Sequence, residues 1–341
     1  MNRTRLTRDY EISRVLKGGW QLGGGHGAID QHAALADMDR YVDAGITTFD
    51  CADIYTGVEA LIGEWRRTRP DRARNVQVHT KYVPDRDRLP THALTDVERG
   101  VNRSLQRLRA DALDLVQLHW WDYDVPGYVE AALWLNQLRL AGKVRHIGLT
   151  NFDQRRLKEI VDAGVPVVSH QVQYSVLDRR PASMRPWCGE HAIGMLCYGS
   201  LAGGFLSERW LGVPVPEGEL ENRSLTKYRL IIDEFGGWPL FQRLLETLRD
   251  IGARRNAGIG AVAMRWALDQ PGVSAIIVGV RHAGHLASIA SALDMTLDDQ
   301  DRSAIAAIHA RAKGPAGEVY GLERVKDGVH ASIMRYSLNR E

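Results

Sequence analysis

Three successive apolar runs of this chain bring residues that can do proton chemistry to their ends. In "ITTFDCADIYTG", residues 46–57, a β-branched and aromatic run stops on Asp50, and Tyr55 follows five positions later. "VQVHTKYV" delivers Lys81, and "LDLVQLHWWD" delivers His119. A tyrosine serves as a general acid when its pKa falls from ~10 toward neutrality. A neighbouring ammonium favours the phenolate, and bringing the phenol from ~10 to ~7 takes roughly 4 kcal/mol of such preference. The lysine needs a carboxylate to stay charged in a partly dry pocket, and Asp50 can provide it. A histidine on the adjoining strand can donate to a carbonyl oxygen. Such a set polarises C=O and protonates an alkoxide; it lacks a source of electrons. Singly, each residue has a plainer reading as packing residue, solvated lysine, core histidine or helix cap. Their joint placement favours the chemical one, with Asp53 and Cys51 left as structural.

The elements that must position these groups alternate. A first strand over residues 12–22 precedes the helical stretch "QHAALADMDRYVDAG", in which Ala34, Met38, Tyr41 and Val42 share a face and Gly45 suits the cap. Strand-like runs then start near Ile46, Val76, Leu113, Val144, Val167, Ile193 and Ser274, most of them separated by amphipathic helices. Alternating strand and helix implies a parallel sheet. Eight units predict a closed (β/α)8 TIM barrel, with strand C-termini converging on one mouth. One domain is expected over residues 1–341, its core about 12–313. The rhythm breaks after the seventh strand, where "LGVPVPEGELENRS" predicts a long surface loop of the kind that shapes substrate sites. Residues 314–341 have no period and predict a C-terminal segment covering the mouth.

Composition narrows the partners. Hydrophobic residues make up 44% of the 341, and 44 basic against 42 acidic residues leave a formal charge of +2. That mixture argues against nucleic acid or a membrane surface as partner. The arginine-rich start has no apolar stretch behind it, and the three cysteines, Cys51, Cys188 and Cys197, read as reduced thiols. A cytoplasmic protein acting on a small molecule is the expectation, with no metal centre.

With these residues assembled, the chain resembles the aldo-keto reductase superfamily. "GITTFDCADIYTGVEALIGEW", residues 45–65, is similar to the signature around the family's catalytic Asp and Tyr. "HTKY" and "QLHWWD" resemble the strands carrying its Lys and His, while "GLTNF" and "HQVQYS" resemble its nicotinamide-carboxamide contacts. The resemblance implies an NADP(H)-binding barrel, with NAD(H) as the other possible cofactor, that transfers hydride to an aldehyde or ketone. It makes Tyr55 the proton donor, tuned by Lys81 and Asp50, and gives His119 the carbonyl. Asn151 and Gln171 would hold the carboxamide and Tyr198 would stack on the ring. Gly199, Ser200, Leu201 and Gly203 would meet the pyrophosphate; Gly279, Arg281 and His285 would meet the adenosine end. The acid and amide common further along in NADP-preferring relatives are replaced by Ser288 and Ile289. Trp20, Trp120 and Trp121 are candidates for the substrate wall, suited to apolar carbonyls and to sugar rings, although Trp120 and Trp121 equally suit barrel packing.

Three other readings stand beside this one. "GGGHGA" sets Gly23, Gly25 and Ala28 in a dinucleotide-binding pattern, with Asp50 near the ribose-acid position, but it leaves Tyr55, Lys81 and His119 unexplained. Resembling barrels also serve as cofactor-bearing potassium-channel β subunits. The same site run backwards would oxidise an alcohol or aldose with NAD(P)+.

Overall fold

The computed structural model describes residues 3–23, 27–279 and 282–339. A short hairpin pairs β1 (Arg3–Arg5) with β2 (Glu11–Ser13). Eight further strands follow: β3 (Val15–Gly18), β4 (Thr48–Asp50), β5 (Gln77–Tyr82), β6 (Leu113–Leu118), β7 (Val144–Thr150), β8 (Val167–Gln173), β9 (Gly194–Tyr198) and β10 (Val273–Gly279). These eight form a closed parallel barrel in the order β10-β3-β4-β5-β6-β7-β8-β9. It closes through β10 on β3, with Ile276 beside Val15 and Gly279 beside Gly18. Closure excludes the open sheet of a dinucleotide-binding fold. Among the described residues, no helix is long and apolar enough to cross a membrane.

The first strand is shorter than the apolar run suggests. Residues 12–22 divide among the end of β2, the barrel strand β3 and a 3-10 turn at Trp20–Leu22. Leu6, Tyr10 and Ile12 of the hairpin pack with Leu16, Leu115, Leu196 and Ala275 inside the barrel, stopping one end with apolar side chains. The opposite end, where the strands finish, stays available for polar groups.

Helices cover the outside for the reason periodicity gives. In Gln31–Asp43, Ala34, Leu35, Met38 and Tyr41 are buried, Asp30 caps the Ala33 amide, and Gly45 turns at φ 79°. A large apolar side chain such as Leu35 or Met38 contributes roughly 1.5–3 kcal/mol on burial. The stretch between β9 and β10 is more ordered than its prolines suggest: beyond residue 222 it folds into helices Arg223–Phe235, Trp238–Arg255 and Ile259–Leu268.

The C-terminal segment crosses the mouth. Arg324 donates to the carbonyls of Asn151 (3.0 Å) and Trp120 (2.8 Å), and Asn339 Nδ2 donates to Val83 O at 2.7 Å. A buried ionic knot fastens it, with Glu323 3.1 Å from Arg180 and 3.6 Å from Lys227, and Arg180 2.7 Å from Asp178. The Glu323 carboxyl is held down to about 2, because these two cations outweigh the burial that opposes them.

Candidate active site

Asp50 closes β4 and Lys81 lies one residue from the end of β5, on the neighbouring stave. Lys81 Nζ donates to Asp50 Oδ2 at 2.7 Å and to the Cys51 carbonyl at 2.8 Å. Burial pulls the ammonium down, but Asp50 and then Tyr55 overcome it, so its pKa stands above the ordinary lysine value. The other Asp50 oxygen accepts from Gln171 Nε2 (2.7 Å) and Gln117 Nε2 (3.2 Å).

Tyr55 rises from the turn after β4, where its amide bonds the Ala52 carbonyl and its carbonyl accepts from Val58. The ring centre is 5.1 Å from Lys81 Nζ and 5.0 Å from Trp20, edge to face. Burial raises the phenol pKa; Lys81 opposes it and Asp50 adds to it. The net direction is upward, opposite to the sequence expectation, because desolvation of the oxygen outweighs the ammonium. Tyr55 therefore holds its proton at neutral pH, the state a donor needs.

His119 directly follows β6 and is buried. Its Nδ1 is 3.3 Å from the Thr150 carbonyl, an oxygen that can only accept, so Nδ1 carries the proton. Burial, then Arg324, bring the imidazole down to about 3, leaving it neutral. Nε2 is buried without a partner among the described residues. In this tautomer it accepts an O–H, whereas the sequence predicts a ring that donates to a carbonyl.

These groups line one cavity of about 680 Å³. Asn151, Gln171, Tyr198, Gly199, Ser200 and Leu201 face it, as do Gly203, Gly279 and His285. Tyr198 OH donates to Asn151 Oδ1 at 2.8 Å, and Asn151 sits at φ 64°. Gly199 and Gly203 have positive φ, and a Cβ on either would meet Tyr228 at 2.4 and 2.9 Å. Tyr228 and the backbone conformation thus demand glycine here before any ligand does. Arg281 lies outside the described residues, as does Gly25 of the glycine-rich pattern. Trp20 and Trp121 line the cavity; Trp120 does not. The Trp120 indole is wholly buried in the core, donating to the Val125 carbonyl and packing edge-on against His92. Asp53 is buried and accepts from the Val83 amide, a structural place.

Sequence reasoning missed several residues at this mouth. Gln117, two before His119 on the same face of its strand, was legible from strand parity. Arg209, Arg223, Lys227 and Tyr228 come from the polar insertion, and Tyr320 from the C-terminal segment; all line the cavity. Tyr320 stands edge-on 5.5 Å from His119. No period marks the stretches holding Arg209 and Tyr320, whereas Lys227 and Tyr228 lie on the helix Arg223–Phe235, whose buried Leu225, Tyr228, Ile231, Ile232 and Phe235 recur at helical spacing.

The cavity suits a nicotinamide cofactor. Ser200 Oγ is buried without a partner among the described residues, Gln171 retains an acceptor oxygen, and Arg209 and Arg223 supply cations for phosphates. The Aldo/keto reductase family matches residues 14–310. This chain belongs to that family.

Aldo-keto reductase YhdN of Bacillus subtilis is 29% identical over 86% of this reductase and 89% of its own length. The NADH-specific methylglyoxal reductase of Escherichia coli is 26% identical over 86% and 94%. The holo structure of aldo-keto reductase AKR11C1 from Bacillus halodurans superposes with TM-score 0.74 at 25% identity, covering 95% of this chain and 99% of that one. This aldo/keto reductase is an NAD(P)-dependent enzyme that reduces the carbonyl of a small molecule.

Proposed function

We propose that this reductase converts an aldehyde or ketone to an alcohol with Tyr55 as proton donor and NADPH as preferred reductant. The observation that carries the reading is the Lys81–Asp50 ion pair set under Tyr55 in the cavity that His119 Nε2 also faces. The bound cofactor supplies hydride to the carbonyl carbon. As charge builds on the carbonyl oxygen, Tyr55 gives up its proton. Lys81 stabilises the phenolate left behind, and Asp50 keeps Lys81 charged. Gln171 and Asn151 orient the carboxamide, and Tyr198 backs the ring.

NADPH is preferred in this reading because Arg209, Arg223 and Arg281 are cations suited to phosphate groups. The similarity to an NADH-specific relative speaks for NADH. Trp20, Trp121 and Tyr320 wall the substrate end. An adjoining chamber of about 890 Å³ shares Tyr55, Glu221 and Arg335 with this cavity and adds Glu219 and Arg229, a polar rim suited to hydroxylated carbonyls or sugars. The three free, buried thiols fit a reducing cytoplasm.

His119 favours a second reading of direction. An imidazole whose Nε2 accepts is matched to an alcohol O–H, so oxidation of an alcohol or aldose by NAD(P)+ suits the same site. Fluorescence titration with NADPH and NADH, followed by a panel of aldehydes, ketones, sugars and alcohols, tests both. Turnover of carbonyls supports reduction, and turnover of alcohols alone supports the reverse. Tight cofactor binding with no turnover in either direction overturns the enzyme reading in favour of a cofactor-bearing binding subunit.

A further inference from the structure

Beneath the ion pair, one amide is fully enclosed and belongs to neither cofactor wall nor substrate wall. Gln117 is on β6, in register with Lys81 on one side and Gly148 on the other. It is 0% exposed. Its Nε2 donates to Asp50 Oδ1 at 3.2 Å, and its Oε1 accepts from Gln171 Nε2 at 3.0 Å. Gln171 Nε2 also donates to the same Asp50 oxygen at 2.7 Å. The three groups form a closed triangle, and the second Asp50 oxygen carries Lys81.

Chemistry fixes the direction of every amide in that triangle. A carboxylate can only accept, so both glutamines must turn nitrogen toward Asp50. Both hydrogens of the Gln171 amide are then engaged, one by Asp50 and one by Gln117. Its Oε1 is left as an acceptor at the cavity wall. Room for Gln117 is built in as well. A Cβ at position 148 would come within 3.1 Å of Gln117 Cγ and 2.6 Å of Ser169 Oγ, so the glycine on β7 keeps its slot open.

We propose that Gln117 is a positioning residue that ties recognition of the nicotinamide carboxamide at Gln171 to the Asp50–Lys81 pair beneath Tyr55. It rests on the cofactor-binding role read for Gln171. Gln117 touches neither cofactor nor substrate. It acts by holding the Gln171 oxygen toward the cavity and by steadying the carboxylate that faces Lys81.

The test compares unaltered protein with Gln117→Leu and Gln117→Glu. Cofactor affinity is read by fluorescence titration with NADPH and with NADH, and the pH profile of kcat is read where turnover is found. In Gln117→Leu the Gln171 amide loses an acceptor; affinity for the preferred cofactor should weaken about tenfold, with KM for the carbonyl little changed. In Gln117→Glu a second carboxylate faces Asp50. The alkaline fall in reduction rate should then move upward by about one pH unit, because added negative charge disfavours the Tyr55 phenolate. Unchanged affinity in Gln117→Leu, or an unmoved pH limb in a folded Gln117→Glu, overturns the proposal. If Gln117→Glu does not fold, the titration of Gln117→Leu decides alone. That titration needs no substrate, so absence of turnover in unaltered protein would count against the reductase mechanism and not against Gln117.

Discussion

Lys81 Nζ lies 2.7 Å from Asp50 Oδ2, with the two side chains only 6% and 4% exposed. A pair this enclosed is worth little if both members are replaced together, and costs a great deal if one is left alone. Asp50→Asn should therefore lower unfolding free energy by roughly 3–5 kcal/mol, read from urea denaturation. Adding Lys81→Met in the same chain should recover part of that loss. Strict additivity of the two single changes would show that the pair is not energetically coupled.

The C-terminal segment depends on its buried charges. Glu323→Gln removes one of the two carboxylates facing Arg180 and leaves Lys227 without its acid at 3.6 Å. Faster hydrogen exchange over residues 320–338 and a severalfold rise in KM are expected, since Tyr320 forms a wall beside His119. Unaltered exchange in that segment would remove Glu323 as its anchor.

The loop after β9 tests steric logic. Gly199→Ala places a methyl 2.4 Å from the Tyr228 hydroxyl at φ 78°, so cofactor affinity and stability should both fall. Tyr228→Phe in the same chain removes the clashing oxygen and should restore part of the affinity. The residual deficit reports the backbone strain, roughly 1–3 kcal/mol. No recovery at all would mean that Tyr228 is not what excludes a side chain.

Acid should destabilise the fold well above the carboxylate range. Burial is the leading cause that brings His79 and His119 down to about 3, and His170 and His309 down to about 4. The unfolded chain protonates these histidines near pH ~6.5 while the folded one does not. Their contribution is thus complete above that pH and is lost as pH falls toward 4, at about 1.4 kcal/mol per pH unit per histidine. The thermal midpoint should drop steadily between about pH 6.5 and 4.5. A flat midpoint across that window would contradict the neutral, buried state of these rings.

The barrel and the polar strand ends were legible because both are written in local pattern. Asp50, Lys81 and His119 occur at the ends of short β-branched runs, and strand parity turns such residues inward at the mouth. What parity cannot supply is depth. Trp120 and Trp121 are adjacent and chemically identical, yet one is sealed in the core and the other faces the cavity, a difference set by how the chain leaves β6. The cover over the mouth was expected of residues 314–341, but its anchors were hidden for another reason: Tyr320, Glu323 and Arg324 are ordered by distant partners, among them Arg180, Lys227, Trp120 and Asn151, and not by any period of their own. The Tyr55 acidity was misjudged because the sequence shows the nearby ammonium but not the desolvation that outweighs it.

If Tyr55 delivers the proton while the rest of the site holds the cofactor, losing its hydroxyl must separate turnover from binding. Tyr55→Phe is assayed for carbonyl reduction with the preferred cofactor and titrated for cofactor affinity. The expected outcome is a fall in kcat of about a hundredfold or more, in line with the loss of a general acid, with cofactor affinity unchanged. Near-full turnover in Tyr55→Phe would contradict it.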